Sequence, residues 1–211
     1  MKTKALLSTA AALSALALAA PAAAQGVSLS WGATLTSNYV SRGETQSANG
    51  AAFQPWVEAE MNGFYAGIWA SNVRFAPAAR EFEIDLYGGY RWNLENTTLD
   101  IGYARYLYSR SGDAGGEFYL LAEHEAGNIT LFGGVYVGHT GGWTLNDIHA
   151  GASMPLWDRL SGSVRLGRAT SGRYGDIGVS YALSDNIELD ARLHHSSAEG
   201  RRVVVSANFS F

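Results

Sequence analysis

Apolar and polar side chains alternate from residue 27 to the last residue of the sequence, in segments of about ten residues. A period of two is typical of β-strands with one apolar face and one polar face. The apolar face of the first segment consists of Val27, Leu29, Trp31, Ala33 and Leu35. We count twelve segments, at residues 27–39, 51–61, 64–72, 80–90, 97–108, 117–125, 128–138, 143–154, 160–168, 174–183, 187–194 and 202–211. The sequence therefore predicts an all-β protein of about twelve strands.

The connections between these segments are predicted to alternate in length. Short connections lie at residues 62–63, 91–96, 126–127, 155–159 and 184–186, and Asn62-Gly63 is a strong hairpin signal. Longer ones, rich in Gly, Ser, Ala or Arg, lie at residues 41–50, 73–79, 109–116, 139–142, 169–173 and 195–201. Short turns at one end, longer loops at the other and an even strand number are typical of a transmembrane, antiparallel, up-and-down outer-membrane β-barrel. A soluble β-sandwich is the alternative that these features disfavour.

The first 24 residues are predicted to be a targeting segment and not part of the folded protein. Lys2 and Lys4 precede an apolar stretch at residues 5–20, and Ala22 to Ala24 supply the small residues that a signal peptidase reads. An N-terminal membrane anchor is the alternative, but the stretch is short and alanine-rich. We therefore predict a cleaved Sec-type signal peptide at residues 1–24 and a barrel at residues 25–211 that is exported to the bacterial outer membrane.

The last strand has a pattern of its own. Apolar Val203, Val205, Ala207, Phe209 and Phe211 alternate with polar Ser206, Asn208 and Ser210. This resembles the terminal strand signal that the barrel assembly machinery reads in outer-membrane proteins, and an ordinary amphipathic edge strand is the alternative. The predicted partners are thus this machinery, outer-membrane lipid and small hydrophilic solutes.

Composition excludes several other classes of protein. Because only Lys2 and Lys4 are lysines, the part after residue 24 carries thirteen arginines against nineteen acidic residues, which argues against nucleic-acid binding. The absence of cysteine excludes thiolate metal sites and disulfides. The five histidines are too scattered to predict a metal site, and no cofactor is predicted.

A barrel in a bilayer turns its apolar face to lipid, so the polar faces of the strands are predicted to line its interior. The excess of acids there predicts a narrow, cation-preferring pore for small hydrophilic solutes or ions. The alternative is that these carboxylates pair with arginines and close the barrel, which would then have a structural or adhesive role. The predicted pore-lining residues are Glu58, Glu60, Glu81, Glu83, Asp85, Arg165, Glu188, Asp190 and Arg192, and Glu123 and Glu125 are assigned to the same interior.

Some side chains near the predicted strand ends suit the membrane interface. Arg105 is an exception, because its parity places a charged side chain on the predicted lipid face. The residue then lies at the level of the membrane interface or beside a bulge, or the predicted register is wrong. Aromatic belts are predicted at Tyr39, Phe75, Tyr106, Tyr108, Trp143 and Tyr174 at the loop side, and at Tyr90, Trp92, Trp157, Tyr181 and Phe211 at the turn side.

One short stretch suits catalysis, residues 194–197, which read His-His-Ser-Ser. His195 and Ser197 would lie on one face of a strand, where a base can activate a hydroxyl. The element loosely resembles that of the lipid A deacylases, but it lacks the Asn that follows the serine there, and no third orienting group can be assigned. A polar loop boundary is the favoured interpretation, so we predict no enzymatic activity and keep a lipid hydrolase as an alternative.

Residues 36–43, Thr-Ser-Asn-Tyr-Val-Ser-Arg-Gly, are followed by Gln46-Ser47 and by residues 52–54, 63–73, 83–90 and 100–103. Together these stretches resemble the TorF-type porins, a proteobacterial family of small outer-membrane barrels. The resemblance implies an outer-membrane location and a porin role, without a substrate or catalytic residues. Arg42 and Glu44, at the start of the first long loop, are candidates for the pore mouth. The alternative is a loop-ordering arginine beside Gly43, which permits a positive φ.

Overall fold

Twelve strands close into one antiparallel barrel in the computed structural model, which describes residues 26–76 and 79–211. The predicted signal peptide lies outside these residues. Each barrel strand pairs with its neighbours along the chain, and the first strand pairs with the last. The barrel strands are β1 (Ser28–Thr36), β4 (Ala52–Met61), β5 (Phe64–Ala76), β6 (Ala79–Leu94), β7 (Thr97–Tyr108), β8 (Gly112–Ala126), β9 (Ile129–Gly138), β10 (Thr144–Trp157), β11 (Leu160–Ala169), β12 (Gly172–Ala182), β13 (Ile187–Ser196) and β14 (Gly200–Ser210).

The remaining strands, β2 (Val40–Ser41) and β3 (Glu44–Thr45), form a small separate hairpin inside the first loop. We call the end of the barrel that holds this loop the loop end, and the opposite end, which starts β1 and finishes β14, the turn end. The predicted Asn62-Gly63 hairpin is confirmed at the turn end, where the two residues have φ angles of 53° and 86°. Among the described residues, no helix is long and apolar enough to span a membrane.

The seam that closes the barrel joins β1 to β14. Trp31 and Phe211 exchange backbone hydrogen bonds of 3.0 Å and 2.8 Å. Their rings also stack, with centroids 4.5 Å apart. The last residue of the chain therefore holds the first barrel strand through both its backbone and its side chain.

All twelve predicted strands are present, but several are longer than predicted. β8 begins at Gly112, β12 at Gly172 and β14 at Gly200, so three of the connections predicted to be long are reduced to residues 109–111, 170–171 and 197–199. The prediction of long loops is wrong at these places. Ladder hydrogen bonds join backbone groups, so a Gly- and Ser-rich segment can extend a strand even where its side chains no longer alternate.

The two faces of the sheet are reversed relative to a soluble protein. Large apolar side chains such as Trp31 and Leu166 are exposed on the outside, whereas Asp85 and Arg165 are buried inside. Apolar exteriors and polar interiors are typical of outer-membrane barrels. The alternation that the sequence shows thus separates a lipid-compatible surface from a polar interior.

The predicted aromatic belt at the loop end is wrong for four residues, because Tyr39, Tyr106, Tyr108 and Tyr174 lie in the interior. Three of their hydroxyls donate hydrogen bonds to buried carboxylates there. Of the other predicted belt residues, those exposed are Phe75 and Trp143 at the loop end and Trp92, Trp157, Tyr181 and Phe211 at the turn end.

Arg105 does point outward, as its parity predicts. Its guanidinium pairs with Asp113 of β8 and also donates to the hydroxyl of Tyr103 at 3.3 Å. A register shift between Tyr106 and Leu107 follows directly. Two of the predicted explanations therefore apply together, since the residue lies near the loop end of β7 and beside a bulge.

Candidate functional site in the barrel interior

A cavity of about 380 Å³ occupies the loop-end part of the barrel interior. Residues of the first loop and of strands β6 to β12 line this cavity. Its charged lining is mainly acidic, with five carboxylates and two guanidinium groups: Glu44, Glu83, Asp85, Glu117 and Asp147 against Arg42 and Arg165. Both predicted pore-mouth residues, Arg42 and Glu44, thus lie at this cavity.

The first loop folds into the barrel because its hairpin is tightly turned and anchored at several points. Arg42 and Gly43 form the two-residue turn, with φ angles of 50° and 83°. A side chain at Gly43 would come within 2.7 Å of the Cβ of Ser196, so the hairpin contacts β13 directly. The amide of Thr45 donates to the carboxylate of Glu199 at 2.9 Å. The glycine is thus required both for the turn and for close packing.

The base of the same loop is ordered by Asn38. Its side-chain oxygen accepts hydrogen bonds from the hydroxyls of Thr45 at 2.6 Å and Ser47 at 3.0 Å. The Ser47 hydroxyl also accepts from the amide of Tyr39 at 2.9 Å. Several residues of the stretch that resembles the TorF family therefore hold the loop in its inward position.

Arg42 reaches across the cavity to Glu117 on β8. Its guanidinium makes a two-pronged contact with this carboxylate at 2.6 Å and 2.9 Å, and it lies over the ring of Tyr136, 4.8 Å from the centroid. Tyr106 and Asn146 donate to the same carboxylate, each at 2.7 Å. Burial lowers the pKa of Arg42, but the hydrogen bond and the charge of Glu117 outweigh it and raise that pKa above its usual value. The arginine is therefore a fixed positive charge in the cavity.

A second charged network lines β11 to β13. Asp176 is fully buried and receives Arg165 at 2.7 Å and Arg192 at 2.6 Å. Arg192 also contacts Asp190 at 3.0 Å. Beside this network, Asp147 accepts a hydrogen bond from the hydroxyl of Tyr174 at 2.8 Å. In this network two acids, Asp176 and Asp190, are paired with two arginines, Arg165 and Arg192. Such pairing is what the alternative of a closed barrel interior requires.

The loop-end part of β6 that carries Glu81, Glu83 and Asp85, which we call the β6 wall, is different. Among the described residues, none of these three acids forms an ion pair. Glu81 accepts hydrogen bonds from the amide and hydroxyl of Ser111, and Glu83 accepts one from Tyr108 at 2.7 Å. Among the described residues, the Oε2 atom of Glu83 and the Oδ1 atom of Asp85 are buried without a hydrogen-bond partner.

Toward the turn end, Arg91 binds three carboxylates. It contacts Glu58 at 2.6 Å, Glu60 at 3.0 Å and Asp100 at 3.2 Å, and its guanidinium lies 3.8 Å from the ring centroid of Tyr65. These residues belong to four consecutive strands, β4 to β7. The interior at this end is therefore narrowed by an ion-paired arginine.

The predicted pore-lining residues lie on the inward faces of their strands. Most are buried, and Glu188 accepts a hydrogen bond from Asn208 at 3.2 Å. That they line a conducting pore stays a prediction.

Some charged residues of the interior were not predicted, for different reasons. Arg91 was assigned to a turn that β6 extends through, and Asp147 follows a register shift that breaks the alternation. Glu117 and Asp176 follow the alternation of their strands, so parity alone would have found them.

The candidate catalytic pair is not arranged as a catalytic unit. His195 is exposed on the outer face of β13, and Ser197 lies in the turn that follows, where its hydroxyl accepts the amide of Arg173 at 3.0 Å. The neighbouring His194 points inward, 3.9 Å from Asp176. In the described part of the chain, no group of three or more His, Asp or Glu residues is placed to hold a metal ion.

Several solved outer-membrane barrels have a similar fold. A KdgM porin in complex with disordered oligogalacturonate gives a TM-score of 0.61 at 10% identity, over 87% of this chain and 98% of that one. Omp33 of Acinetobacter baumannii gives a TM-score of 0.53 at 6% identity, over 87% of this chain and 97% of that one. Outer membrane phospholipase A from Escherichia coli gives a TM-score of 0.53 at 11% identity, over 86% of this chain and 92% of that one. At such identities the similarity shows the fold alone, which is that of an outer-membrane β-barrel.

The sequence comparisons add a family. The chain belongs to a family described as bacterial proteins of unknown function (Gcw_chp), which matches residues 20–142. Among curated proteins, none matches the sequence. The stretches that resemble the TorF family fall inside the matched residues, between Thr36 and Tyr103.

Proposed function

We propose that this protein is a porin-like barrel of the bacterial outer membrane that forms a narrow, water-filled pore for small hydrophilic solutes or ions. The observation that carries the proposal is the polar cavity of about 380 Å³ inside a closed barrel with an apolar exterior. A barrel of twelve strands is intermediate between small filled barrels and wide porins, so a narrow passage is expected. The resemblance to the TorF-type porins supports the same role, as does the predicted Sec-type signal peptide at residues 1–24.

The charges in the cavity favour cations. Glu83 and Asp85 face it without paired cations, whereas Arg42 is already paired with Glu117. An uncompensated negative lining lowers the energy of a cation in a narrow pore relative to an anion. We therefore propose a cation preference, set mainly at the β6 wall.

A swelling assay tests the pore. Liposomes that contain the refolded protein, residues 25–211, are diluted into isosmotic solutions of glycine, ribose and sucrose. Swelling that slows as the solute grows is the expected result. Swelling equal to that of protein-free liposomes, from protein whose gel mobility is heat-modifiable, would contradict the proposal.

A closed structural or adhesive barrel is the second candidate, and a specific observation favours it. Arg42 and Arg91 each extend across the interior to carboxylates on other strands, as they would in a plug. If this candidate is correct, shortening the connections at the loop end should abolish a binding phenotype while conductance stays at zero.

A lipid hydrolase has less support. The hydroxyl of Ser197 is engaged by the backbone of Arg173, and we propose that residues 194–197 mark the end of a strand. We expect no phospholipid or ester turnover by the purified protein. Turnover that is abolished by Ser197→Ala would instead establish the hydrolase.

A further inference from the structure

The cavity contains one cation-binding arrangement that is already filled. The guanidinium of Arg42 is held by the carboxylate of Glu117 and lies over the ring of Tyr136, and the Tyr106 hydroxyl donates to the same carboxylate. A buried carboxylate with tyrosine rings around it is thus shown, within this protein, to hold a guanidinium group. Such a group gains both a charge-assisted hydrogen bond and a cation–π contact.

The β6 wall of the same cavity has the same chemistry without the cation. Across the β6–β7 ladder, Glu83 pairs with Tyr108 and Asp85 with Tyr106. Tyr39 of the first loop is buried and lies in the same cavity lining. All five of these side chains line the cavity.

The two acids are the least compensated charges of this wall. Asp85 is only 1% exposed and Glu83 only 5%, and each has a carboxylate oxygen without a partner among the described residues. Buried carboxylates are costly unless they are paired and hydrogen-bonded. Because both acids are among the residues that line the cavity, a cation that enters it can supply the missing partner.

We propose that Glu83, Asp85 and the surrounding tyrosines bind the guanidinium or organic ammonium group of a small solute. The described residues contain no metal-binding group of three, and tyrosine faces favour organic cations. A volume of about 380 Å³ suits a small molecule. The inference deepens the proposed function, on which it relies only for how the solute reaches the site.

Isothermal titration of the refolded protein in detergent micelles tests the site directly. The probe is methylguanidinium, and methylurea is its neutral isostere. We expect saturable binding of methylguanidinium and none of methylurea. The double variant Glu83→Gln with Asp85→Asn should bind at least about tenfold more weakly, since tenfold corresponds to one lost charged contact.

A control variant removes the same charge elsewhere. Asp158→Asn with Asp185→Asn neutralises two exposed turn-end acids and should leave binding unchanged. Should the double variant at β6 not fold, Asp85→Asn alone is used, with an expected weakening of several-fold. Equal binding of methylurea, unchanged affinity in the β6 variants, or no saturation in the unmodified protein would each overturn the inference.

The swelling assay on the same preparations separates this inference from the proposed function. Protein that swells liposomes but does not bind methylguanidinium contradicts the site and leaves the pore intact. Protein that binds the probe but gives no swelling contradicts the pore, and the β6 wall is then a binding site in a closed barrel.

Discussion

At the scale of single residues, Arg42 joins the first loop to the opposite part of the barrel. Its side chain is 28% exposed, whereas the side chain of Glu117 is only 6% exposed. Removal of the arginine therefore leaves a carboxylate that is buried and has only neutral donors, Tyr106 and Asn146. Loss of one partner of a buried pair is more destabilising than loss of a surface charge.

Replacement of Arg42 by alanine is expected to lower the free energy of unfolding by about 2–3 kcal/mol, less than for a fully buried pair because the arginine is partly exposed. Urea unfolding of the folded barrel in micelles measures this change. Arg159→Ala, at an exposed turn, is the control and should change stability by less than about 0.5 kcal/mol. Equal effects of the two variants would show that the Arg42 contact has no special weight.

At the scale of strands, glycines are placed where tyrosine rings cover the neighbouring strand. Gly167 of β11 lies directly opposite Tyr174 of β12, and a side chain there would overlap the tyrosine ring. The hydroxyl of that ring donates to Asp147. The small residue on β11 thus leaves room for a tyrosine ring that lines the cavity. Similar pairs of a glycine and an aromatic residue help to fix the register of strands in barrels.

Gly167→Ala is therefore expected to displace Tyr174 and to destabilise the barrel by about 1–3 kcal/mol, the usual cost of overpacking. Thermal unfolding of the single variant measures this cost. In a Tyr174→Ala background the same substitution should cost much less, because the ring that it would strike is absent. An equal cost in both backgrounds would contradict the packing argument.

The seam between β1 and β14 depends on an aromatic stack at the last residue. Phe211→Ala is expected to lower the yield of folded barrel in cells, since it removes the ring that stacks on Trp31 and, as we predict, part of the signal read by the assembly machinery. The heat-modifiable fraction on a gel measures this yield. Phe211→Trp keeps the stack and should restore it. A normal yield for the alanine variant would contradict both roles.

The strands and their faces could be predicted from the sequence because a bilayer requires strict alternation of side chains. The segment Thr97–Tyr108 is predicted with its observed bounds. The prediction fails at the bulge before Asp147, which shifts the parity. It also fails for Tyr106 and Tyr108, which have the opposite parity to Arg105 and so lie inward, where their hydroxyls donate to buried carboxylates.

The path of the first loop could be predicted from the sequence only in part. Glycine at position 43 indicates a turn, and that much is confirmed. The contact between Arg42 and Glu117, however, joins residues 75 positions apart. Such a contact depends on the closed barrel, which brings β8 within reach of the loop, and not on any local pattern.

At the scale of the whole molecule, the barrel interior combines two kinds of charged wall. The networks around Arg91 and Asp176 are ion-paired and hold strands together. On the β6 wall, Glu83 and Asp85 line the cavity, and each has a buried carboxylate oxygen without a partner among the described residues. The pore that we propose, narrowed by paired arginines and bordered by Glu83 and Asp85, should admit small cations ahead of anions.

Single-channel recording in a planar bilayer, with the reversal potential measured under a KCl gradient, tests this account most directly. We expect discrete conductance steps from the refolded protein and a reversal potential on the cation-selective side. Neutralisation of Glu81, Glu83 and Asp85 together should reduce that selectivity. Electrical silence from protein that is folded and heat-modifiable would contradict the pore, and an anion-selective channel would contradict the role given to the β6 wall.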